Sequence, residues 1–369
     1  LNDEIRISST FWFLPREKAI ILSIMPQARN AAMNSYERLT AMMEGRPTDR
    51  LSVMPITMMF AAATAGVKYC QYARDYRILA GAQIQTAQRY RFDYVSAISD
   101  PGREAGDCGA ALRWFDDQPP AMDEAQPCIK DPTDLARMQI PDPFGGGRMT
   151  DRVQGVAELH KRVGKKLFVE GWVEGPCAEA ADLRGINALM LDFLEAPTFV
   201  QDLFAFCLEM AIKFARAQVN AGADIIGIGD AAASLVGPDI YHEFVWPIEK
   251  KLIDAVHAMG AKTRLHICGN TSALLAPIGE LGSDIVDLDY PVNIAQARVA
   301  MGPHQILLGN LDPVRSVRNG TPETIHAALA ECHRQAGDRY IIGAGCEIPR
   351  DTPPANVLAF ADYVQSQRL

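Results

Sequence analysis

Eight short apolar runs punctuate the chain, at residues 51–57, 93–100, 166–176, 223–230, 262–270, 283–291, 304–313 and 339–349. Each is close to continuously apolar and does not alternate with polar residues. That pattern belongs to strands buried on both faces of a parallel sheet. Between the runs the apolar residues recur at helical spacing. The stretch 186–222 reads as helix with Gly222 near its end, and 238–260 reads likewise and stops at Gly260, a residue type that terminates helices. Eight strands alternating with helices predict an α/β fold, a (β/α)8 TIM barrel, with a doubly wound open sheet as the alternative.

Two segments leave this rhythm. Residues 101–150 are rich in Pro, Gly and Asp and form a long excursion after the second strand, in which Ala111–Phe115 reads as a short strand. Long loops in compact domains usually serve as lids or binding elements. Glycines 145–147 follow no strand and lack the Lys-Ser/Thr of a phosphate loop, so they are not read as a phosphate cradle. Residues 1–33 carry one apolar piece, AIILSIM, without the basic start or cleavage pattern of a signal peptide. They are read as an atypical N-terminal extension, and 34–369 as a single barrel domain.

Composition narrows the function classes. The 369 residues are 48% hydrophobic and 22% charged, with a formal net charge of −9. Nucleic-acid and anionic membrane surfaces need a basic patch, and none is visible. The chain has no apolar run of membrane-spanning length. Eight cysteines lie scattered at 70, 108, 128, 177, 207, 268, 332 and 346. That spacing argues against a disulfide framework and for a cytoplasmic protein with reduced thiols.

Barrels of this class keep their chemistry at the C-terminal ends of the strands. Those ends carry Asp100, Glu174, Asp230, His266 with Cys268, Asp289, Asn310 with Asp312, and Cys346 with Glu347. Asp289 and Asp312 also suit turns or helix caps. In a strand, residues i and i+2 point the same way, so His266 and Cys268 can address one point. Cys346 lies 346 − 268 = 78 positions further on. One imidazole and two thiolates around an open position form a set that zinc accepts. The competing reading is a core histidine with two buried thiols. Trp172, Tyr290 and Trp246 are read first as core and second as a cofactor face.

The runs HICGN (266–270), GNLDP (309–313) and GCEIPRDTPPANV (345–357) resemble the uroporphyrinogen decarboxylase superfamily. So do SYERLTAMMEGRPTDRLSV (35–53), VEGP (173–176) and GDAAASLVGPDIYHEFVWP (229–247). The superfamily includes the decarboxylase and the methylcobamide-dependent methyltransferases. The decarboxylase begins its barrel with arginines that hold acidic side chains of the porphyrinogen, yet no Arg stands between Leu51 and Lys68 here. It also carries Gly-His-Gly near its last strand, where this chain has Gly345-Cys346-Glu347. Asp100 matches the decarboxylase's key aspartate by position. His266, Cys268 and Cys346 match the zinc pattern of the methyltransferase branch residue by residue.

That resemblance implies a zinc-dependent enzyme moving a methyl group between a corrinoid (methylcobalamin), carried by a partner corrinoid protein, and a small acceptor. The acceptor is a thiol such as coenzyme M or tetrahydrofolate, with a lean towards folate. Asp100, Glu174 and Asp230 are the candidate catalytic carboxylates, Asp289 and Asn310 the candidate cofactor contacts, and the 101–150 excursion a candidate docking or closing element. A decarboxylase, or a non-catalytic corrinoid- or folate-binding barrel, is the alternative.

Overall fold

The computed structural model describes residues 32–367. The extension read at residues 1–33 falls almost wholly outside the described residues. Eight strands line up as β1 (Ser52–Val53), β2 (Tyr94–Ser96), β3 (Phe168–Glu174), β4 (Ile225–Gly229), β5 (Lys262–Ile267), β6 (Ile285–Leu288), β7 (Ile306–Leu311) and β8 (Tyr340–Ala344). They form one parallel sheet in the order β1-β8-β7-β6-β5-β4-β3-β2. Each strand is followed by a helix: α1 (Tyr76–Tyr90), α2 (Arg148–Val163), α3 (Pro197–Asn220), α4 (Trp246–Ala258), α5 (Leu275–Glu280), α6 (Ile294–Met301), α7 (Pro322–Ala336) and α8 (Pro354–Ser366). The fold is the expected (β/α)8 barrel, and the strands are buried along nearly their whole length because helices cover the outside.

The observed strands are shorter than the apolar runs. Pro55 has no N–H to donate, so the β1 ladder stops at Met54, whose N–H donates to Ile342 O at 2.9 Å, and residues 55–57 continue to the barrel mouth beyond it. Pro197 likewise divides the 186–222 stretch into Ile186–Glu195 and α3, opening the second helix at its first turn.

The seam between β1 and β2 is the weakest join. There, Asp93 N–H donates to Val53 O at 3.0 Å, and Val53 N–H donates to Asp93 Oδ2 at 2.8 Å. Arg38, on the N-terminal helix Ser35–Met43, and Arg50 both hold the same buried carboxylate, at 2.7 and 2.8 Å. The N-terminal end of the barrel is therefore closed by paired charges.

The excursion is ordered. It contains the helix Arg103–Asp107 and a hairpin pairing Leu112–Arg113 with Ala121–Met122, so the short strand read at 111–115 is present. Asp107 accepts from the N–H groups of Arg148 and Met149 at 2.7 and 2.8 Å. A carboxylate thus already caps α2 beside glycines 145–147, in keeping with the rejection of a phosphate cradle.

Candidate metal centre at the barrel mouth

His266 is the penultimate residue of β5, Cys268 follows that strand directly, and Cys346 lies two positions beyond β8. His266 Nε2 is 3.0 Å from Cys268 Sγ, and the two sulfurs are 3.8 Å apart. The three ligand atoms all lie within 4.8 Å of one another, and they are the one such group of three or more among the described residues. With zinc–sulfur bonds near 2.3 Å, the edge of a coordination tetrahedron is about 3.8 Å. The sulfur pair already has that spacing, so the residues present fit zinc. Gly269 turns the chain with φ +89°, a region open to glycine, and its N–H donates to Asp289 Oδ2 at 2.6 Å.

Behind the imidazole, His266 Nδ1 sits 3.2 Å from Asp287 Oδ2. Asp287 is held in turn by Arg264 at 2.5 Å, and Arg264 reaches Glu170 at 3.2 Å. All three are buried inside the barrel. The contact is one of charge and not a made hydrogen bond, and it sets a carboxylate behind the ring whose Nε2 faces the sulfurs. Without metal, hydrogen bonding from Cys268 and the neighbouring His266 draw the Cys346 thiol down to about 4. Burial would lower the basicity of His266, but Cys268 and Asp287 outweigh it and raise it well above the ordinary range. The pair therefore holds one thiolate, at Cys346, while the same hydrogen bond pushes the Cys268 thiol up, and a metal would bind by displacing the protons of Cys268 and His266.

The other expected residues divide between two neighbourhoods. Asp289 does not belong to the ligand group. It anchors the turns carrying Cys268 and Tyr290, accepting from the N–H groups of Gly269 and Tyr290. Asn310 donates to the carbonyls of Val292 (2.6 Å) and Asp289 (3.2 Å), a loop-holding role. Asp312 caps the turn after β7 through the N–H groups of Val314 and Arg315. Glu347 accepts from Met58 and Met59 N–H at 3.0 and 2.5 Å, tying the turn that bears Cys346 to the segment after β1. Burial pushes its carboxyl up to about 8.

Asp100, Glu174 and Asp230 stand apart from the sulfurs. Arg148 grips both oxygens of Asp100, at 2.7 and 2.5 Å. Burial alone would raise that carboxyl, but Arg148 outweighs it and holds it below its ordinary value. Glu174 accepts from Arg103 at 2.8 Å. Asp230 caps the helix Pro176–Arg184, accepting from Ala178 N–H at 2.6 Å, and burial lifts it to about 7. Trp172 is buried 6.4 Å from the His266 ring and packs with Ile56 and Ile98. A Cβ at Gly227 would overlap the Trp172 indole, which explains a glycine in the middle of β4. Trp246 donates to Pro277 O, and Tyr290 is half exposed.

Sequence reasoning missed Asp287, Arg264 and Glu170. Their signal was a charge inside an otherwise apolar strand, at the centre of IVDL, KTRLHI and FVEGWVE. Such a residue needs a partner on the neighbouring strand, and the register supplies one by pairing His266 with Asp287.

A family profile described as uroporphyrinogen decarboxylase (URO-D) matches residues 34–367. The chain belongs to that family. Among similar proteins, the methylcobamide:CoM methyltransferase MtbA of Methanosarcina mazei is 35% identical over 224 residues, covering 60% of this chain and 65% of that protein. The chain thus spans just under two thirds of that relative. The methylcobamide:CoM methyltransferase MtaA of Methanosarcina barkeri is 25% identical across 87% of this chain and 95% of its own length. A uroporphyrinogen decarboxylase of a Synechococcus species is 29% identical over 56% of this chain and 60% of that protein. A solved methyltransferase from Methanosarcina mazei superposes with a TM-score of 0.84, covering 91% of this chain and all of that one at 21% identity, a likeness of fold. Among the described residues, no helix is long and apolar enough to cross a membrane.

Proposed function

We propose that this chain is a zinc-dependent methyltransferase that moves a methyl group from a corrinoid cobalt to a thiol bound at His266, Cys268 and Cys346. The observation that carries the reading is the convergence of those three ligand atoms within 4.8 Å at the barrel mouth. The methyltransferase names of the relatives support the same class of reaction. A thiol acceptor is preferred to tetrahydrofolate because a centre built from sulfur and imidazole acts directly on a sulfur nucleophile.

Bound by this set, zinc would lower the pKa of the acceptor thiol and present it as a thiolate. The chain's own contribution is placement. Asp287 holds the His266 ring, Asp289 holds the turn of Cys268, and Glu347 holds the turn of Cys346. Trp172, Ile56 and Ile98 keep the floor beneath the centre apolar, which strengthens charge interactions and excludes water. In the transfer the acceptor sulfur attacks the methyl carbon, a sulfur–carbon bond forms, and cobalt keeps the electron pair of the broken bond. A separate corrinoid protein would deliver that methyl group at the open mouth, with the 101–150 excursion as the docking element.

A decarboxylase reading needs guanidinium groups free for substrate carboxylates. Arg148 and Arg103 are instead engaged by Asp100 and Glu174. The deciding experiment loads the anaerobically purified chain with zinc and follows loss of methyl from methylcobalamin with thiols or tetrahydrofolate. About one zinc per chain and thiol-dependent demethylation are expected. No zinc uptake, or folate turnover without thiol turnover, overturns the reading.

A further inference from the structure

Next to the metal centre lies a second feature that the thiol chemistry does not use. A cleft of about 300 Å³ opens between the end of β3, the helix Pro176–Arg184 and the excursion hairpin. Its walls include Pro101, Met122, Ile186 and Leu235, and its polar lining includes Glu174 and Asp182. Leu235 is largely exposed at the rim.

Beneath the cleft, Glu104, Glu174, Glu179 and Asp182 gather around a single guanidinium, Arg103. Arg103 lies 2.8 Å from Glu174 and 3.3 Å from Glu104. Glu179 is 2% exposed, and neither of its carboxylate oxygens has a hydrogen-bond partner. Glu104 Oε2 and Asp182 Oδ2 are likewise buried without a hydrogen bond. Glu174, only 7% exposed, gives Oε1 to Arg103 and lines the cleft. No donor among the described residues meets its Oε2.

Carboxylates buried without donors are costly unless a proton or a cation joins them. Burial, with the neighbouring carboxylates adding, lifts Asp182 to about 7. A metal cage does not explain the arrangement, because these oxygens do not converge as the His266 group does. An organic cation with an apolar stem fits both the carboxylate floor and the apolar walls.

The cleft shares its rim with the metal centre. Glu174 pairs in register with Gly229, and Gly229 with His266. Two strand spacings separate Glu174 from His266, on the order of 10 Å between backbones. Trp172 packs against His266 inside the barrel, and Glu174, two residues further along the same strand, points to the same side.

We propose that this cleft receives an ammonium group carried by the acceptor thiol, so that the enzyme prefers an aminothiol to a thiol bearing a sulfonate. This rests on the methyltransferase reading above. An anionic sulfonate would meet a surplus of carboxyl groups over the single Arg103 guanidinium, and an ammonium would supply a donor to the second oxygen of Glu174 and to Asp182.

The test uses the zinc-loaded full chain with methylcobalamin and three thiols of equal reach: 2-aminoethanethiol, 2-mercaptoethanol and 2-mercaptoethanesulfonate. KM for the aminothiol is expected about tenfold or more below that for the sulfonate, the scale of one charge-assisted hydrogen bond. Glu174→Gln and Asp182→Asn should each shrink that ratio. Comparing ratios within one preparation cancels any loss of folded protein, and comparing variants with parent removes the thiols' own acidities. A second readout needs no turnover. Calorimetric titration of the metal-free chain should show 2-(methylthio)ethylamine binding at least about tenfold more tightly than 2-(methylthio)ethanesulfonate. Equal or tighter sulfonate binding, or a ratio untouched by both substitutions, overturns the cleft assignment and leaves methyl transfer standing. Absence of transfer to every thiol overturns the function itself, and the calorimetric ratio then judges the cleft alone.

Discussion

The two ends of this barrel use charge in opposite ways. At the N-terminal end, Asp93 is met by Arg38, Arg50 and the Val53 N–H, and Asp49 is met by Arg38 at 2.6 Å. At the mouth, four carboxyls crowd Arg103, and an imidazole and two sulfurs face one another with no cation of the chain between them. Charges satisfied within the chain hold the fold together, whereas charges left unsatisfied mark where something from outside must join it. The contrast agrees with the division of labour in such barrels, with stability at the bottom and chemistry at the top.

The contrast breaks most completely at the metal centre. Cys268→Ser should drop bound zinc from about one per chain to below about a tenth, and cut methyl transfer by at least about a thousandfold. Metal analysis and methylcobalamin spectra check this, while the urea midpoint of the metal-free chain should barely move. The mirror experiment lies at the other end. Asp93→Ala leaves Arg50 without its carboxylate and Arg38 with Asp49 alone, which should cost about 3–5 kcal/mol in urea denaturation. Whatever remains folded should still bind zinc.

A smaller effect sharpens the comparison within the mouth. Asp287→Asn keeps the shape but removes the charge behind His266, so zinc affinity should fall by about 10- to 100-fold, read by competition with a chelator. The smallest effect is a slope in pH. Burial lifts Asp230 and Asp182 to about 7 and Glu347 to about 8. Carboxyls raised on folding bind more protons in the native chain than in the unfolded one. Their stabilisation is therefore complete below about 4 and lost as pH rises towards 7–8, by at most about 1.4 kcal/mol per pH unit for each group. Asp100, held low by Arg148, acts in the opposite sense and withdraws its support only in acid below about 4. The urea midpoint of the metal-free chain should be higher at pH 5.5 than at pH 8.

Much of this is legible in the amino-acid sequence. The apolar runs located every barrel strand, and the strand period brought His266 and Cys268 to one side. What could not be read was partnership. Asp100 looks like a free carboxylate in AISDP, yet Arg148, forty-eight residues later at the far end of the excursion, takes both its oxygens. Asp287 and Asp289 are equivalent in a one-dimensional pattern. Only the pairing of β5 with β6 shows that Asp287 stands behind the histidine and Asp289 under the turn. The acidic cleft was hidden for the same reason. Glu104 comes from the excursion and Glu179 from a helix, and a pattern of apolar spacing says nothing about which helix face meets which loop.

The loosely joined seam between β1 and β2 has a consequence for the centre across the mouth. Seven of the barrel's joins are ladders, and the eighth is little more than a latch at Val53 and Asp93. Glu347 fastens the turn bearing Cys346 to the residues just beyond β1, so the third ligand is tied to a flank of that latch as well as to β7, through Gly345 N–H and Leu311 O. Any slackening of the latch would therefore bear on Cys346 before it bears on His266, whose strand is laddered on both sides.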